Sequence, residues 1–159
     1  MSSGLTIAQA LMHQIGPELA EIETIIQQEI DSWAIQFFDG EMIHMLYQAS
    51  PSRWVMSYEL DAPEISNQAE IYAAMLCTNL LYQGVAPLKV ALSKPGGVLL
   101  LIGEFQLTEA SLDELQMLIR QFLMYAAHIS DQISLLEEGE PKDKVASDFS
   151  PTVNAHILA

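Results

Sequence analysis

The hydrophobic positions near the N-terminus recur at helical spacing. The first run consists of Leu5, Ala8, Leu11, Met12 and Ile15. Gly16-Pro17 interrupts it, and a second run follows over residues 19–30, where isoleucines oppose glutamates. The pattern predicts helix in both runs.

Three strands with an unusual excess of apolar residues follow. The predicted strands cover residues 32–38, 41–48 and 53–60. Asp39-Gly40 supplies the positive backbone dihedrals of a two-residue hairpin loop, which would pair Phe37 with Met42 and Ile35 with His44. One face then carries Trp33, Ile35, Phe37, Met42, His44 and Leu46. The other face carries Gln36, Phe38, Ile43, Met45 and Tyr47, continued by Trp54, Met56 and Tyr58. Because both faces are apolar, we expect one to pack on the chain's own helices and the other to bind a partner.

The middle of the chain predicts a helix that is apolar on nearly all sides. Asn67 and Glu70 form a capping box at its start, and Gly84 is placed to end it. Its apolar residues are Ile71, Tyr72, Met75, Leu76, Leu80, Leu81 and Tyr82. Since such a helix must be buried on most sides, we expect it to lie between its own sheet and a second subunit.

The C-terminal part predicts a hairpin and a long amphipathic helix. The hairpin strands cover residues 88–93 and 98–107. Pro95-Gly96 forms the turn between them. Ser111 and Glu114 form a capping box, after which a continuous apolar stripe runs to about Glu137.

The elements add up to one small domain. Beyond the last helix the periodicity is lost, which predicts a flexible tail over residues 138–159. The predicted order is α-βββ-α-ββ-α. We therefore expect a single homodimeric α+β domain over residues 1–137, with a twisted antiparallel sheet packed against helices.

The chain is both hydrophobic and strongly acidic. Hydrophobic residues make up 50% of it, and 21 acidic side chains stand against 6 basic ones, for a net charge of −15. This charge disfavours binding to nucleic acid and to anionic membranes, and no segment has the length and hydrophobicity of a membrane span. The apolar excess predicts an oligomer, a client-binding protein or both. Met42, Met45 and Met56 suit a surface that adapts to several apolar partners.

The sequence offers no arrangement typical of catalysis or metal binding. Its histidines are His13, His44, His128 and His156, and they lack the spacing of a metal site. His44 could act as a base, but a hydrogen-bonded strand histidine is the favoured interpretation. Cys77 lies on the all-round apolar helix, which predicts a buried, inert thiol, and a single cysteine fits a reducing cytoplasm. We therefore expect no cofactor, no metal and no enzymatic activity.

The element order, small size and acidic balance resemble the class I chaperones of bacterial type III secretion, the Tir-chaperone-like family. The resemblance spans roughly residues 5–137. Its most specific local piece is Ala74-Met75-Leu76-Cys77-Thr78-Asn79-Leu80-Leu81, which is similar to the Leu-Leu-x-x-Asn-Leu-like segment of the family's middle helix. The Asp39-Gly40 hairpin followed by an apolar strand also fits. The acidic segment over residues 17–31 and the tail after Glu138 depart from the family pattern.

The resemblance implies a bacterial cytoplasmic homodimer that binds the N-terminal segment of a secreted effector in largely extended form. Such a chaperone keeps the effector soluble and competent for export, using hydrophobic pockets and main-chain pairing along a strand edge. The implied client-binding candidates, on the first helix and first sheet, are Leu11, Phe38, Ile43, Met45, Tyr47, Trp54 and Met56. The implied dimer contacts, on the middle helix and second hairpin, are Tyr72, Met75, Leu76, Asn79, Leu80 and Leu100. The secretion ATPase is a further candidate partner, whereas nucleic-acid binding and membrane insertion are not expected.

Two other functions stay open from the sequence. A dimer of the same fold could sequester a regulator of secretion instead of an effector. The less favoured alternative is a small ligand-binding domain or enzyme that uses His44 or the region of Tyr47 and Trp54. That alternative requires a compact pocket with carboxylates beside His44, and an open groove would count against it.

Overall fold

The structure is a computed structural model that describes residues 3–60, 67–83, 87–107 and 111–138. Within these ranges the elements are α1 (Ser3–Glu18), β1 (Ile22–Glu29), β2 (Ser32–Phe37), β3 (Met42–Ala49), β4 (Ser52–Glu59), α2 (Gln68–Tyr82), β5 (Leu88–Leu92), β6 (Leu99–Phe105) and α3 (Leu112–Glu137). Of the predicted features, Gly84 as the end of the middle helix and the tail over residues 139–159 lie outside the described residues.

The described strands form one antiparallel sheet in the order β1-β2-β3-β4-β6-β5. The strands at its two edges are therefore β1 and β5. The α+β class and the antiparallel sheet predicted from the sequence are confirmed, and the sheet has one strand more than predicted.

The core lies between the sheet and the helices. The stripe predicted on α3 is buried as expected, through Leu115, Ile119, Phe122, Ala126, Ile129 and Ile133. It meets the sheet where Phe122 contacts Phe105 edge to face, with ring centroids 6.2 Å apart. Full burial of such side chains stabilises the fold by about 1.5–3 kcal/mol each relative to exposure, so the stripe on α3 contributes strongly to the core.

Residues 22–29 form a strand, so the helix predicted over residues 19–30 is wrong. The pairing of β1 with β2 is irregular between Ile22 and Thr24 and again between Gln27 and Glu29. Each such irregularity adds a residue and disturbs the two-residue alternation of a strand. The isoleucines consequently recur at intervals that resemble a helix, although the backbone is extended.

The turn between β2 and β3 contains three residues instead of the predicted two. The Phe37 N–H donates to the Glu41 carbonyl oxygen at 2.9 Å, and the Gly40 N–H donates to the Phe37 carbonyl oxygen at 2.9 Å. Gly40 has a φ of 91°, as in a three-residue hairpin that ends in a bulge glycine. Ile35 therefore pairs with Ile43, one residue away from its predicted partner.

This shift of one residue moves the side chains of β3 to the opposite face relative to those of β2, so the predicted grouping of Trp33, Ile35 and Phe37 with Met42, His44 and Leu46 is wrong. The face buried under the helices carries Trp33, Ile35, Phe37, Ile43, Met45, Tyr47, Trp54 and Met56. The opposite face is exposed at Ile26, Met42 and His44. The prediction that Ile43, Met45 and Tyr47 share a face with Trp54 and Met56 is confirmed, but that face is the one that the chain covers itself.

The ends of α2 and α3 differ in how they are capped. Ser111 accepts a hydrogen bond from the Glu114 N–H at 3.3 Å, and α3 ends at Glu137, both as predicted. Asn67 is the N-cap residue of α2, but its side chain accepts no hydrogen bond from the first turn, so the Asn67 half of the predicted capping box is not formed. Its Nδ2 instead lies 3.5 Å from the carbonyl oxygen of Glu137 and links the start of α2 to the end of α3.

Candidate functional site

The free edge of β1 presents backbone groups for pairing. On β2, the Phe37 N–H bonds towards β3, whereas the Phe38 N–H bonds towards β1, to the Glu21 carbonyl oxygen at 3.1 Å. Because backbone groups alternate between the two neighbours of a strand, the pairing of β1 with β2 leaves those of Ile25 and Gln27 directed outward. No strand of the described residues lies beyond them.

A groove of about 370 Å³ runs between α1 and β1 beside this edge. Its apolar lining consists of Met12, Ile22, Ile25 and Trp33, with Gly16. Its polar lining consists of His13, Glu23, Thr24 and Gln27. Ile25 and Gln27 therefore belong both to the groove and to the free edge. An added strand opposite them would direct every second side chain into the groove, because side chains opposite each other in a sheet lie on the same face.

A smaller hollow of about 110 Å³ lies on the other side of α1. Leu11, Tyr47 and Trp54 all line it, so the structure brings three of the client-binding candidates together. The Tyr47 ring contacts Trp54 with ring centroids 5.5 Å apart. Gly4 lies close to this ring, since a Cβ at this position would lie 2.0 Å from the Tyr47 hydroxyl oxygen and would require the ring to shift.

The remaining client-binding candidates are placed differently. Phe38, in the β2–β3 turn, is 70% exposed. Ile43, Met45 and Met56 are fully buried in the core beneath the helices. Their predicted contact with a client stays a prediction, and in the single chain they serve as core residues. The groove beside β1 was missed because its strand was predicted to be a helix.

The dimer candidates divide between one exposed helix stripe and interior positions. Leu76 and Leu80 on α2 are 69% and 71% exposed, and Leu81 and Cys77 beside them are exposed too. The prediction of a buried Cys77 is therefore wrong for the single chain, as is all-round burial of α2. Met75 is buried, while Tyr72 and Leu100 are partly buried. We call Leu76, Cys77, Leu80 and Leu81 the α2 stripe.

Asn79, the remaining dimer candidate, is engaged within the chain. Its Nδ2 donates to the Val90 carbonyl oxygen at 2.9 Å. Its Oδ1 accepts from the Val90 N–H at 2.6 Å. Both the nitrogen and the oxygen of the Asn79 amide are thus hydrogen-bonded to the backbone of β5.

One cluster of charges crosses the C-terminal side of the sheet. Glu104 on β6 pairs with Arg53 of β4 and with Lys89 of β5, whose Nζ lies 2.6 Å from Glu104 Oε1. Hydrogen bonding by Lys89, followed by the charges of Lys89 and Arg53, holds the pKa of Glu104 below its usual range. The cluster links the side chains of three strands. Its two cations and one anion give it a net positive charge, although the chain as a whole is strongly acidic.

The described residues give no sign of metal chemistry. They contain no group of three or more His, Cys, Asp or Glu side chains that could hold a metal ion. His44 is exposed on β3, and its Nδ1 lies 3.3 Å from Gln28 Oε1. Over the same part of the chain, every helix is too short or too polar to cross a membrane.

Comparison with known proteins identifies the fold. Residues 20–130, more than half of the chain, match the profile of the Tir chaperone protein (CesT) family. The chain belongs to this family. The resemblance drawn from the sequence is thereby confirmed, and membership in a chaperone family agrees with the non-enzymatic function expected. No match was found among curated proteins.

Two solved structures are similar to this member of the CesT family. A chain of the HopA1-SchA chaperone–effector complex aligns with a TM-score of 0.65 at 11% identity, covering 82% of this chain and 98% of its own length. A chain of the ExsC-ExsE complex aligns with a TM-score of 0.62 at 12% identity, covering 84% and 97%. At such low identity the similarity establishes the fold.

Proposed function

We propose that the protein is a cytoplasmic type III secretion chaperone that binds the N-terminal segment of an effector in extended form. The observation that carries this proposal is the groove between α1 and β1, next to the outward backbone groups of Ile25 and Gln27. An extended segment can hydrogen-bond to the edge and place alternate apolar side chains in the groove. Membership in the CesT family and likeness to a chain of a chaperone–effector complex support the same function.

The groove favours a client segment with apolar and basic or neutral residues. Met12, Ile22 and Trp33 provide an apolar lining, and Glu23 contributes one of the 21 acidic side chains of the sequence. A net charge of −15 repels acidic segments and keeps the loaded chaperone in solution. The open shape of this groove and the position of His44 away from it count against the alternative of a small enzyme.

The working form in this proposal is a homodimer formed through α2. The α2 stripe exposes several large apolar side chains on consecutive turns of one helix, a pattern that marks an interaction surface on a soluble protein. Contact of two such stripes would leave the β1 groove of each protomer accessible, because α2 lies beside β5 at the opposite edge of the sheet. One dimer would therefore offer two client grooves.

The test begins with the client itself. The tagged protein, purified from its native host, should carry a bound polypeptide, and mass spectrometry should place the bound segment near the N-terminus of a secreted protein. Hydrogen exchange of the complex should show new protection at Ile25 and Gln27. A bound segment that protects only the exposed sheet face at Met42 and His44 would contradict the proposed groove.

A matched pair of variants at Gly16 then tests the groove. Gly16→Leu should fill it and weaken binding of the identified segment by tenfold or more, with the fold retained. Gly16→Ala adds only a Cβ, which would lie at an ordinary contact distance of 3.5 Å from Ile25 Cδ1. It should bind like the wild type and serve as the control. Equal loss of binding in both variants would argue against a groove that receives client side chains.

A further inference from the structure

The two edges of the sheet differ in a way that the client groove does not explain. At β1 the outward backbone groups of Ile25 and Gln27 face no described strand, whereas at β5 a side chain occupies those of the central outward residue, Val90. The Asn79 amide both donates to the carbonyl oxygen and accepts from the N–H of Val90, at 2.9 and 2.6 Å. This is the pair of hydrogen bonds that a residue of a neighbouring antiparallel strand would form.

The direction of the β5 backbone confirms that Asn79 acts at the outer edge. The Ser93 N–H donates to Val98 and the Glu104 N–H donates to Pro87, so the odd-numbered residues of β5 bond towards β6. By alternation the backbone groups of Leu88, Val90 and Leu92 point away from the sheet. Val90 is at the centre of these three, and a strand cannot pair across it while Asn79 is in place.

We propose that Asn79 closes the β5 edge against pairing with another strand. Its side chain stands in for a strand residue, and so α2 lies against the edge without being part of the sheet. An unpaired edge strand is a template for association with a second copy or a misplaced segment. The inference concerns Asn79 as a positioning residue and rests on the sheet geometry alone, so it does not depend on the proposed client role.

The proposal assigns separate tasks to neighbouring residues of one helix. Asn79 fixes α2 on β5, while Leu76 and Leu80 remain exposed on the α2 stripe. Leu76 and Leu80 would select a partner through contacts between apolar side chains. Strand pairing at β5 would use backbone groups, which every sequence has, and so would not select a partner. Closing β5 therefore leaves β1 as the edge of the described sheet where an extended chain can add.

The test opens the edge with Asn79→Ala and measures two quantities. At low protein concentration, hydrogen exchange of the Val90 amide should become about tenfold faster, since one net hydrogen bond is lost, with the core amides of α3 unchanged. At high concentration, sedimentation should show species larger than those of the wild type. Adding Leu92→Pro should remove these species, because proline takes away an outward donor and is tolerated on an edge.

The control is Thr78→Ala on the same helix. Thr78 is buried, and its hydroxyl bonds to the Ala74 carbonyl oxygen at 3.1 Å, within α2. It should lower stability without accelerating exchange at Val90 and without larger species. The proposal is overturned if Asn79→Ala keeps the wild-type assembly at high concentration, or if the larger species persist after Leu92→Pro is added.

Discussion

Met42 and Met45 lie on the same strand but in opposite environments. Met45 is 0% exposed under the helices, whereas Met42 is 40% exposed on the other face. We expect Met45→Ala to lower the free energy of unfolding by about 2–5 kcal/mol, the range for truncating a buried large side chain. Met42→Ala is the control and should cost less than about 1 kcal/mol. Urea denaturation measures both, and equal small effects would show that Met45 lies at an accessible surface instead of in the core.

The charge cluster around Glu104 should make stability depend on pH. Because the folded state holds the pKa of Glu104 below its usual range, the ionised carboxylate stabilises the fold at neutral pH, and this contribution is lost as pH falls through the lowered pKa. Glu104→Gln should therefore reduce the unfolding free energy at neutral pH by about 1 kcal/mol or less, as for partly exposed ion pairs. The difference from the wild type should shrink as the pH is lowered and disappear once Glu104 is protonated in the folded state as well.

The control for this titration is Glu59→Gln, which alters an exposed carboxylate on β4. It removes the same charge from the same sheet without touching Arg53 or Lys89. A stability loss of equal size in both variants would mean that net charge, and not the three-strand cluster, determines the effect.

Residue spacing in the sequence was sufficient to predict which side chains share a face within each strand and across β3 and β4, but it joined β2 to the wrong face of β3. It was insufficient to predict which face the helices cover. That choice depends on one residue of the β2–β3 turn: Asp-Gly is the pattern of a two-residue loop, but Gly40 instead ends a three-residue turn with a φ of 91°. Both turn lengths place a positive φ at Gly40, so the Asp-Gly pair does not distinguish them, whereas the observed register brings Phe37 and Ile43 into the same core.

At the level of elements, β1 shows why a strand at an edge escapes pattern recognition. The extent of α3 was predicted from Ser111 to about Glu137 because one face is buried along most of its length. β1 is covered on few sides and is irregular at both ends, so polar and apolar residues follow no strict alternation. The low burial of β1, which weakens its sequence pattern, also leaves its outer edge accessible.

The same geometry predicts an alternating exchange pattern along β1. In the free protein, the amides of Thr24 and Ile26 should be protected by β2, while those of Ile25 and Gln27 should exchange rapidly. Amide exchange followed by NMR measures this directly. Uniform protection over these residues would indicate the helix that the sequence pattern predicted, and uniformly rapid exchange would indicate that the strand is not formed.

At the level of the whole molecule, an acidic chain must associate against its own repulsion. Each protomer of the proposed dimer carries a net charge of −15, so contact through the α2 stripe would have to outweigh like-charge repulsion between protomers. Three of the basic side chains are already paired within the chain, because Arg53 and Lys89 are engaged by Glu104 and Arg120 lies 3.2 Å from Glu21. In the proposed dimer, we therefore expect the apolar side chains of α2 to drive association.

This argument predicts how the dimer responds to substitution and to salt. Leu76→Glu combined with Leu80→Glu should convert the dimer to a monomer in sedimentation experiments, by removing apolar contact area and adding charge. Met124→Glu is the control, since Met124 is 61% exposed on α3, outside the α2 stripe. Raising the salt concentration should tighten the wild-type dimer, because it screens the repulsion and leaves apolar contact intact. A dimer that weakens as the salt concentration rises would indicate an interface held by ion pairs. A dimer that persists after both Leu76→Glu and Leu80→Glu would indicate an interface outside the α2 stripe.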